Sequence, residues 1–212
     1  MLVEIDEDSI RKAKILDPVP MDRSYIAKII DKLITINTKI IGLDYLFHRY
    51  QPKNDTKLAQ TLRSSIEKQN TWFVFATSRN QAGGWFEVLP ELASPNWRLQ
   101  GDTFLAGYDR YVTHVTLLPR KYSTETPLPF AYLLAVAHVF NAEQSENWLQ
   151  PQIVHTAGKH FLELFSSSSR LQPLTRFSYR LRQMWLHPII DFSISPETVF
   201  LRLPAWQLFV LA

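Results

Sequence analysis

The sequence has no cysteine among its 212 residues and only six glycines. These absences exclude a disulfide-stapled scaffold, a catalytic thiolate and a collagen-like repeat. The charge excess is also small, since 23 Lys and Arg residues face 20 Asp and Glu residues and leave a net charge of +3. That weak positive balance argues against the dense basic surface that binds nucleic acid, so we expect no nucleic-acid partner.

Long hydrophobic runs are missing as well. The longest run, Leu128–Phe140, contains a proline and a histidine. A helix that crosses a bilayer needs about 20 apolar residues, so this shorter run predicts a buried helix instead. Hydrophobic residues still make up 46% of the chain, which is enough for a folded core without metal or disulfide support.

Alternating strand and helix patterns in the amino-terminal half predict an α/β fold. Apolar residues with helical spacing follow Arg23, and strand-like apolar runs flank that helix at Leu2–Ile5 and Lys39–Phe47. A second helix, capped by Asp55, leads to a third strand at Thr71–Ala76. Nearly continuous apolar strands are typical of a sheet covered on both faces. We therefore expect a parallel or mixed sheet core built from βαβ units with flanking helices.

The rest of the chain predicts a long loop or insertion over about residues 78–101, followed by additional strands and helices in the C-terminal half. Strands are expected at Asp102–Gly107, Val112–Leu118, Ile189–Ile194 and Val199–Leu201, and helices at Leu128–Glu143 and Pro151–Phe165. The chain stops in an apolar segment without a polar tail. We therefore expect residues 1–212 to form a single domain cut from a longer polypeptide.

Carboxylates near strand ends form the strongest candidate site. Asp6 and Asp8 follow the first strand, and Asp44 lies near the end of the second. Ligands of parallel sheets bind beyond the carboxyl ends of the strands, so Asp6 and Asp44 could meet there, where oxygen ligands suit Mg²⁺ or Ca²⁺. The sequence favours the alternative, in which Asp6 and Asp8 cap the following turn, while Asp44 accepts backbone donors or pairs with Arg23.

Other catalytic patterns are poorly represented. The closest histidines, His155 and His160, are five residues apart, which does not match the i, i+4 spacing of a zinc helix. The sequence has no Gly-x-Ser-x-Gly motif, and Gly158-Lys159 lacks the upstream glycine of a phosphate-binding loop. We expect no metal, no cofactor and no catalytic residue, although a cytosolic Mg²⁺-dependent phosphoryl-transfer enzyme that uses the carboxylates is the alternative.

The order of several motifs resembles the second type of CHASE domain, a sensory module associated with bacterial cyclases and histidine kinases. The resemblance covers nearly the whole chain. It is carried first by LVEIDEDSI, Pro18-Val19-Pro20 with Arg23, IIGLDYLF and the helix that begins at Asp55, and then by Gly107–Arg110, PLPFAYLLAVA and the segment Ile189–Leu208.

The resemblance implies an extracytoplasmic, periplasmic signal-sensing domain of a transmembrane receptor. Membrane helices would lie before and after it, outside this chain, and a kinase or cyclase output would lie elsewhere in the protein. We expect a homodimeric receptor that responds to a small molecule or to a protein signal. Asp6, Asp8, Arg23 and Asp44 are the candidate ligand-binding residues, and a pure dimerisation domain is a further alternative.

Overall fold

The structure is a computed structural model that describes residues 1–92, 99–103, 106–108, 111–114, 127–131, 133–134, 137–138 and 201–210. The helices are α1 (Glu7–Ala13), α2 (Arg23–Thr35), α3 (Pro52–Gln69) and a terminal 3₁₀ helix (Ala205–Phe209). The strands are β1 (Leu2–Glu4), β2 (Ile40–Leu43), β3 (Trp72–Thr77), β4 (Leu99–Asp102), β5 (Ala106–Tyr108), β6 (Tyr111–His114), β7 (Leu128–Pro129) and β8 (Arg202–Pro204).

A four-stranded parallel sheet forms the centre of the described fold. Its strand order is β2-β3-β4-β7, and each neighbouring pair is parallel. All six residues of β3 are buried, as expected for an apolar strand with a helical layer on each face. Together with the helices, this sheet confirms the predicted α/β class.

Helices cover both faces of the sheet. On one face, α2 and α3 pack into a core with Ile41, Leu43, Phe73 and Phe75. The opposite face is approached by the helical residues that follow β7, because a Cβ atom on Gly42 would lie 2.9 Å from Leu134 Cδ2. Successive side chains of a strand point to opposite faces of the sheet, so β2 and β3 contribute side chains to the packing on both faces.

The predicted helices α2 and α3 are confirmed, but the cap of α3 differs from the prediction. The Asp22 side chain caps α2 by accepting from the Ser24 amide at 2.7 Å. Helix α3 begins with Pro52 after Gln51 and has no side-chain cap. Asp55 was wrongly predicted as the capping residue, since it lies inside the first turn and accepts from the Gln51 amide at 2.7 Å.

The two ends of the described chain pack together in what we call the terminal module, which consists of β1, α1, β8 and the terminal 3₁₀ helix. Strands β1 and β8 are parallel, and the Arg202 Nε atom donates to Glu4 at 3.0 Å. The Trp206 amide donates to the Ser9 hydroxyl at 3.2 Å. The predicted βαβ unit that would place β1 beside β2 is therefore wrong in its pairing, because β1 pairs with a strand from the far end of the sequence.

Several element bounds also differ from the predictions. Helix α1 was not predicted, and β2 is shorter than the expected strand at residues 39–47. Strand β4 begins inside the predicted loop, while β5 and β6 form an antiparallel pair that overlaps the expected strands at Asp102–Gly107 and Val112–Leu118. Strand β8 begins at Arg202, directly after the predicted strand Val199–Leu201, of which the structure describes only Leu201. The predicted elements at Pro151–Phe165 and Ile189–Ile194 lie outside the described residues.

Candidate functional site

The candidate site lies at the edge of the sheet where the parallel strands end. The chain leaves β2 at Asp44 and reaches the first turn of α3 through a loop, residues 44–51. The segment 86–92 packs against this edge, because the Leu89 amide donates to the Phe47 carbonyl at 3.0 Å and the Thr77 hydroxyl donates to the Phe86 carbonyl at 2.8 Å. Ligands of open α/β sheets bind at this kind of edge.

A buried ion pair joins two helix starts at the edge. Arg23, the first residue of α2, donates through Nη1 to the Asp55 carboxylate in the first turn of α3. Their side chains are only 2% and 5% exposed. Arg23 also donates through Nη2 to the Arg49 carbonyl. One guanidinium therefore holds both the start of α3 and the loop that precedes it.

Polar contacts around the ion pair complete a network that we call the polar network, made of Asp22, Arg23, Gln51, Asn54 and Asp55. The Gln51 side chain donates to the Met21 carbonyl at 3.1 Å, and Asn54 Nδ2 donates to Asp22 Oδ1 at 3.0 Å. The Asp55 carboxylate is thus bonded on both oxygens, to Arg23 and to the Gln51 amide. These donors offset the hydration that the Asp55 carboxylate loses on burial, as a buried charge requires.

Burial lowers the pKa of the Arg23 guanidinium from its ordinary value. Its charge is countered by Asp55, and its carbon Cζ lies 5.5 Å from the centre of the Phe47 ring. Phe47 in turn meets Phe75 edge to face at 5.8 Å. Arg23 therefore belongs to the interior of the fold, where it is bonded to Asp55 and to the loop that precedes α3.

His48 lies in the same loop and packs on the neighbouring segment. Its ring stacks against Phe86 with centroids 4.2 Å apart. The Nδ1 atom is buried and makes no hydrogen bond to any residue that the structure describes. Burial, followed by the charges of Arg49 and Arg23, lowers the pKa of His48. The neutral imidazole is thus the form that fits this position.

Asp44 is the one predicted site residue that lies exposed at the sheet edge. It directly follows β2, as predicted, and is followed by the partly exposed side chains of Tyr45 and Leu46. Burial, followed by the charge of Asp44, raises the pKa of the Tyr45 phenol. Asp44 does not pair with Arg23, which is bound to Asp55 instead.

Asp6 and Asp8 lie at the start of α1 in the terminal module. Asp6 caps that helix by accepting from the Ser9 amide at 2.8 Å, and hydrogen bonds from the Ser9 side chain and backbone lower the pKa of Asp6. Asp8 pairs with Arg11 at 2.7 Å on the exposed surface. The capping alternative is therefore confirmed for Asp6, and both residues have local partners on their own helix.

The carboxylates do not assemble into a metal centre. Within the described ranges, no three His, Asp or Glu side chains are grouped so that they could hold a metal ion. Because β1 pairs with β8, the strand arrangement that would have brought Asp6 beside Asp44 is not formed. In the part of the chain that the structure describes, the three carboxylates of the Mg²⁺-dependent enzyme hypothesis are therefore not grouped into a metal site.

A family model for the CHASE2 domain matches residues 1–202. The chain belongs to the CHASE2 family. CHASE2 is a family of sensory domains of receptors, which supports a signal-sensing role for this chain. No curated protein and no solved structure matches the chain. The helices whose residues the structure describes include none that is both long and apolar enough to span a bilayer.

Only part of this sheet edge is predictable from the sequence. The apolar run before Asp44 predicts its position at a strand end, and Arg23 precedes the predicted helix, but no sequence pattern predicts that Arg23 pairs with Asp55. The two residues are 32 positions apart, and no local periodicity reports such a contact. His48 was not singled out either, since a histidine after an apolar run has no distinctive spacing.

Proposed function

We propose that this CHASE2 domain is the extracytoplasmic signal-sensing part of a transmembrane receptor, with a kinase or cyclase output elsewhere in the protein. The observation that supports this proposal is the family match over residues 1–202. The domain itself carries no catalytic step. It binds a signal, a small molecule or a protein, and membrane helices outside this chain transmit the response within a homodimer.

The ligand-facing surface is the exposed sheet edge at Asp44. The polar network binds the backbone of the loop at residues 44–51 from the interior of the fold. The backbone that carries Asp44 is therefore ordered before a ligand binds. Arg23 contributes by positioning this loop, while Asp6 and Asp8 contribute through the terminal module. A signal acts by binding one arrangement of the domain more tightly than another, and only that difference in affinity shifts the population.

The absence of cysteine allows a direct test of the membrane side. We expect Leu16→Cys in the full-length receptor to react with a membrane-impermeant maleimide in intact cells, because Leu16 is 99% exposed. Ile30→Cys is the matched control, since Ile30 is fully buried and should react only after denaturation. The full-length receptor without either substitution is a second control, because it shows how much label reacts with cysteines elsewhere in the protein. Labelling of Leu16→Cys only after cell lysis would contradict the extracytoplasmic proposal.

Ligand binding is tested separately on the purified domain. A thermal-shift screen against divalent metals, nucleotides and periplasmic solutes should reveal a ligand, since a ligand at 100 times its Kd adds about 2.7 kcal/mol of stability. Asp44→Asn should remove the shift of a solute that binds at the edge, whereas Asp31→Asn, at an exposed position of α2, should retain it. Equal loss in both variants would place the binding site elsewhere, and a shift with metals alone would favour the enzyme alternative.

A further inference from the structure

We propose that the first turn of α2 couples the sheet edge to the terminal module, so that a change at one is transmitted to the other. This inference rests on the proposed function for its role in signalling, although the coupling itself is a property of the described fold. Residues 21–25 carry it. They contact the start of α3 on one side and the terminal 3₁₀ helix on the other.

The edge side of this turn is held by consecutive residues. The Met21 carbonyl accepts from Gln51, the Asp22 side chain accepts from Asn54, and Arg23 donates to Asp55. Because three successive residues bind the start of α3, the start of α2 cannot shift without disturbing the loop at residues 44–51. That loop carries Asp44 and His48.

The opposite side of the turn is held by Tyr25. Its ring is buried and lies 5.9 Å from the ring of Phe209 in the terminal 3₁₀ helix. Positions i and i+2 of a helix point in very different directions, so Arg23 and Tyr25 contact different parts of the molecule. A rotation or sliding of the first turn therefore displaces both contacts together, as in the helix shifts of known switches.

The terminal module is suited to receive such a displacement because it joins the two ends of the described chain. The Leu2 amide donates to the Leu201 carbonyl at 2.8 Å, and the Lys12 ammonium lies 2.8 Å from the centre of the Trp206 ring. In this arrangement, movement of the terminal 3₁₀ helix alters the position of β8 relative to β1. Segments that continue from these strands would move with them.

Hydrogen–deuterium exchange of the complete 212-residue chain tests the coupling without any ligand. We expect Asp55→Asn to accelerate exchange in residues 201–209 and in β1, by about 5- to 150-fold, the usual range for two coupled sites. The matched control is Val74→Ala, which removes buried volume from β3 outside the core cluster shared by α2 and α3. It should leave the terminal module at its wild-type rates.

The reciprocal experiment starts from the other end. Coupling between two sites must be mutual, so Phe209→Ala should accelerate exchange at the Asn54 and Asp55 amides, which both donate to the Gln51 carbonyl at 2.9 Å. Phe209 is partly exposed, so this variant also serves if Asp55→Asn does not fold. Wild-type exchange at the distant site in either variant, or equal acceleration in Val74→Ala, would overturn the proposal. Neither result depends on the membrane side tested by maleimide labelling.

Discussion

Arg23 and Asp55 face each other in the interior, and the loss of either charge leaves the other without its partner. We expect Arg23→Met to lower the free energy of unfolding by about 3–5 kcal/mol, the usual cost of breaking a buried ion pair. Replacing both residues, as in Arg23→Met with Asp55→Leu, should cost less than the sum of the two single changes. Urea denaturation of the single and double variants measures the difference.

The surface pair of Arg11 and Asp8 is the natural control for that experiment. Both side chains are largely exposed, and such pairs contribute only about 0–1 kcal/mol. Asp8→Asn should therefore leave the urea midpoint nearly unchanged. If Arg23→Met were equally mild, the assigned role of Arg23 in ordering the edge would be wrong.

His48 makes stability depend on pH in a defined direction. Its pKa in the folded chain lies below the ordinary value of 6.5, chiefly through burial, so the unfolded chain binds more protons as the pH falls below about 6.5. The stability contributed by the neutral imidazole is complete above that pH and is lost as the pH falls toward the folded pKa. We expect His48→Gln to reduce the dependence of the unfolding free energy on pH between 7 and 5. An unchanged slope in urea titrations across this range would contradict the assignment.

At the scale of whole elements, close packing of the sheet against the layer after β7 leaves no room at Gly101. A Cβ atom there would meet the backbone of Phe130, 2.8 Å from its nitrogen. Backbone cannot rotate away, so we expect Gly101→Ala to cost about 1–3 kcal/mol or more in thermal or urea unfolding.

Gly84 provides the comparison for the change at Gly101. A Cβ atom at Gly84 would come no closer than 3.2 Å to any atom, and the nearest one is the amide nitrogen of the Asn80 side chain rather than backbone. Gly84→Ala should therefore cost much less than Gly101→Ala. Similar losses in the two variants would show that the packing of β4 against Phe130 is not the limiting contact.

The elements differ in how much of them the sequence predicts. Helix α2 has apolar residues on one helical face, and β3 is a run of β-forming residues, so local physics alone identifies both. Helix α1 was missed because it has only seven residues, although Asp6 as cap and acidic residues in its first turn were visible signals. The partner of β1 depends on a contact across 200 positions, which no local pattern encodes.

The same division applies to the candidate site. The position of Asp44 at a strand end follows from the apolar run before it. The polar network instead depends on how α2 and α3 pack, because Arg23 and Asp55 lie on different helices that are separated in sequence by β2. Residues whose role depends on tertiary contacts are therefore the hardest to predict from the sequence.

At the scale of the whole molecule, the folded unit extends beyond the residues that match the family model. Ala205 and Leu208 lie past residue 202, yet both are buried in the same core as α2 and α3. The Trp206 amide also bonds to Ser9 in α1. The terminal 3₁₀ helix is thus part of the core rather than an appendage.

We therefore expect a chain that ends at residue 202 to be markedly less stable than the full 212 residues. Burial of one leucine side chain contributes about 1.5–3 kcal/mol, and each kcal/mol changes the Tm by about 2–4 °C at this size. The shortened chain should thus unfold several degrees lower in circular dichroism, whereas Val210→Ser should not, since Val210 is exposed. An unchanged Tm after truncation would mean that the core closes without Leu208, and it would also remove the physical basis for coupling through Phe209.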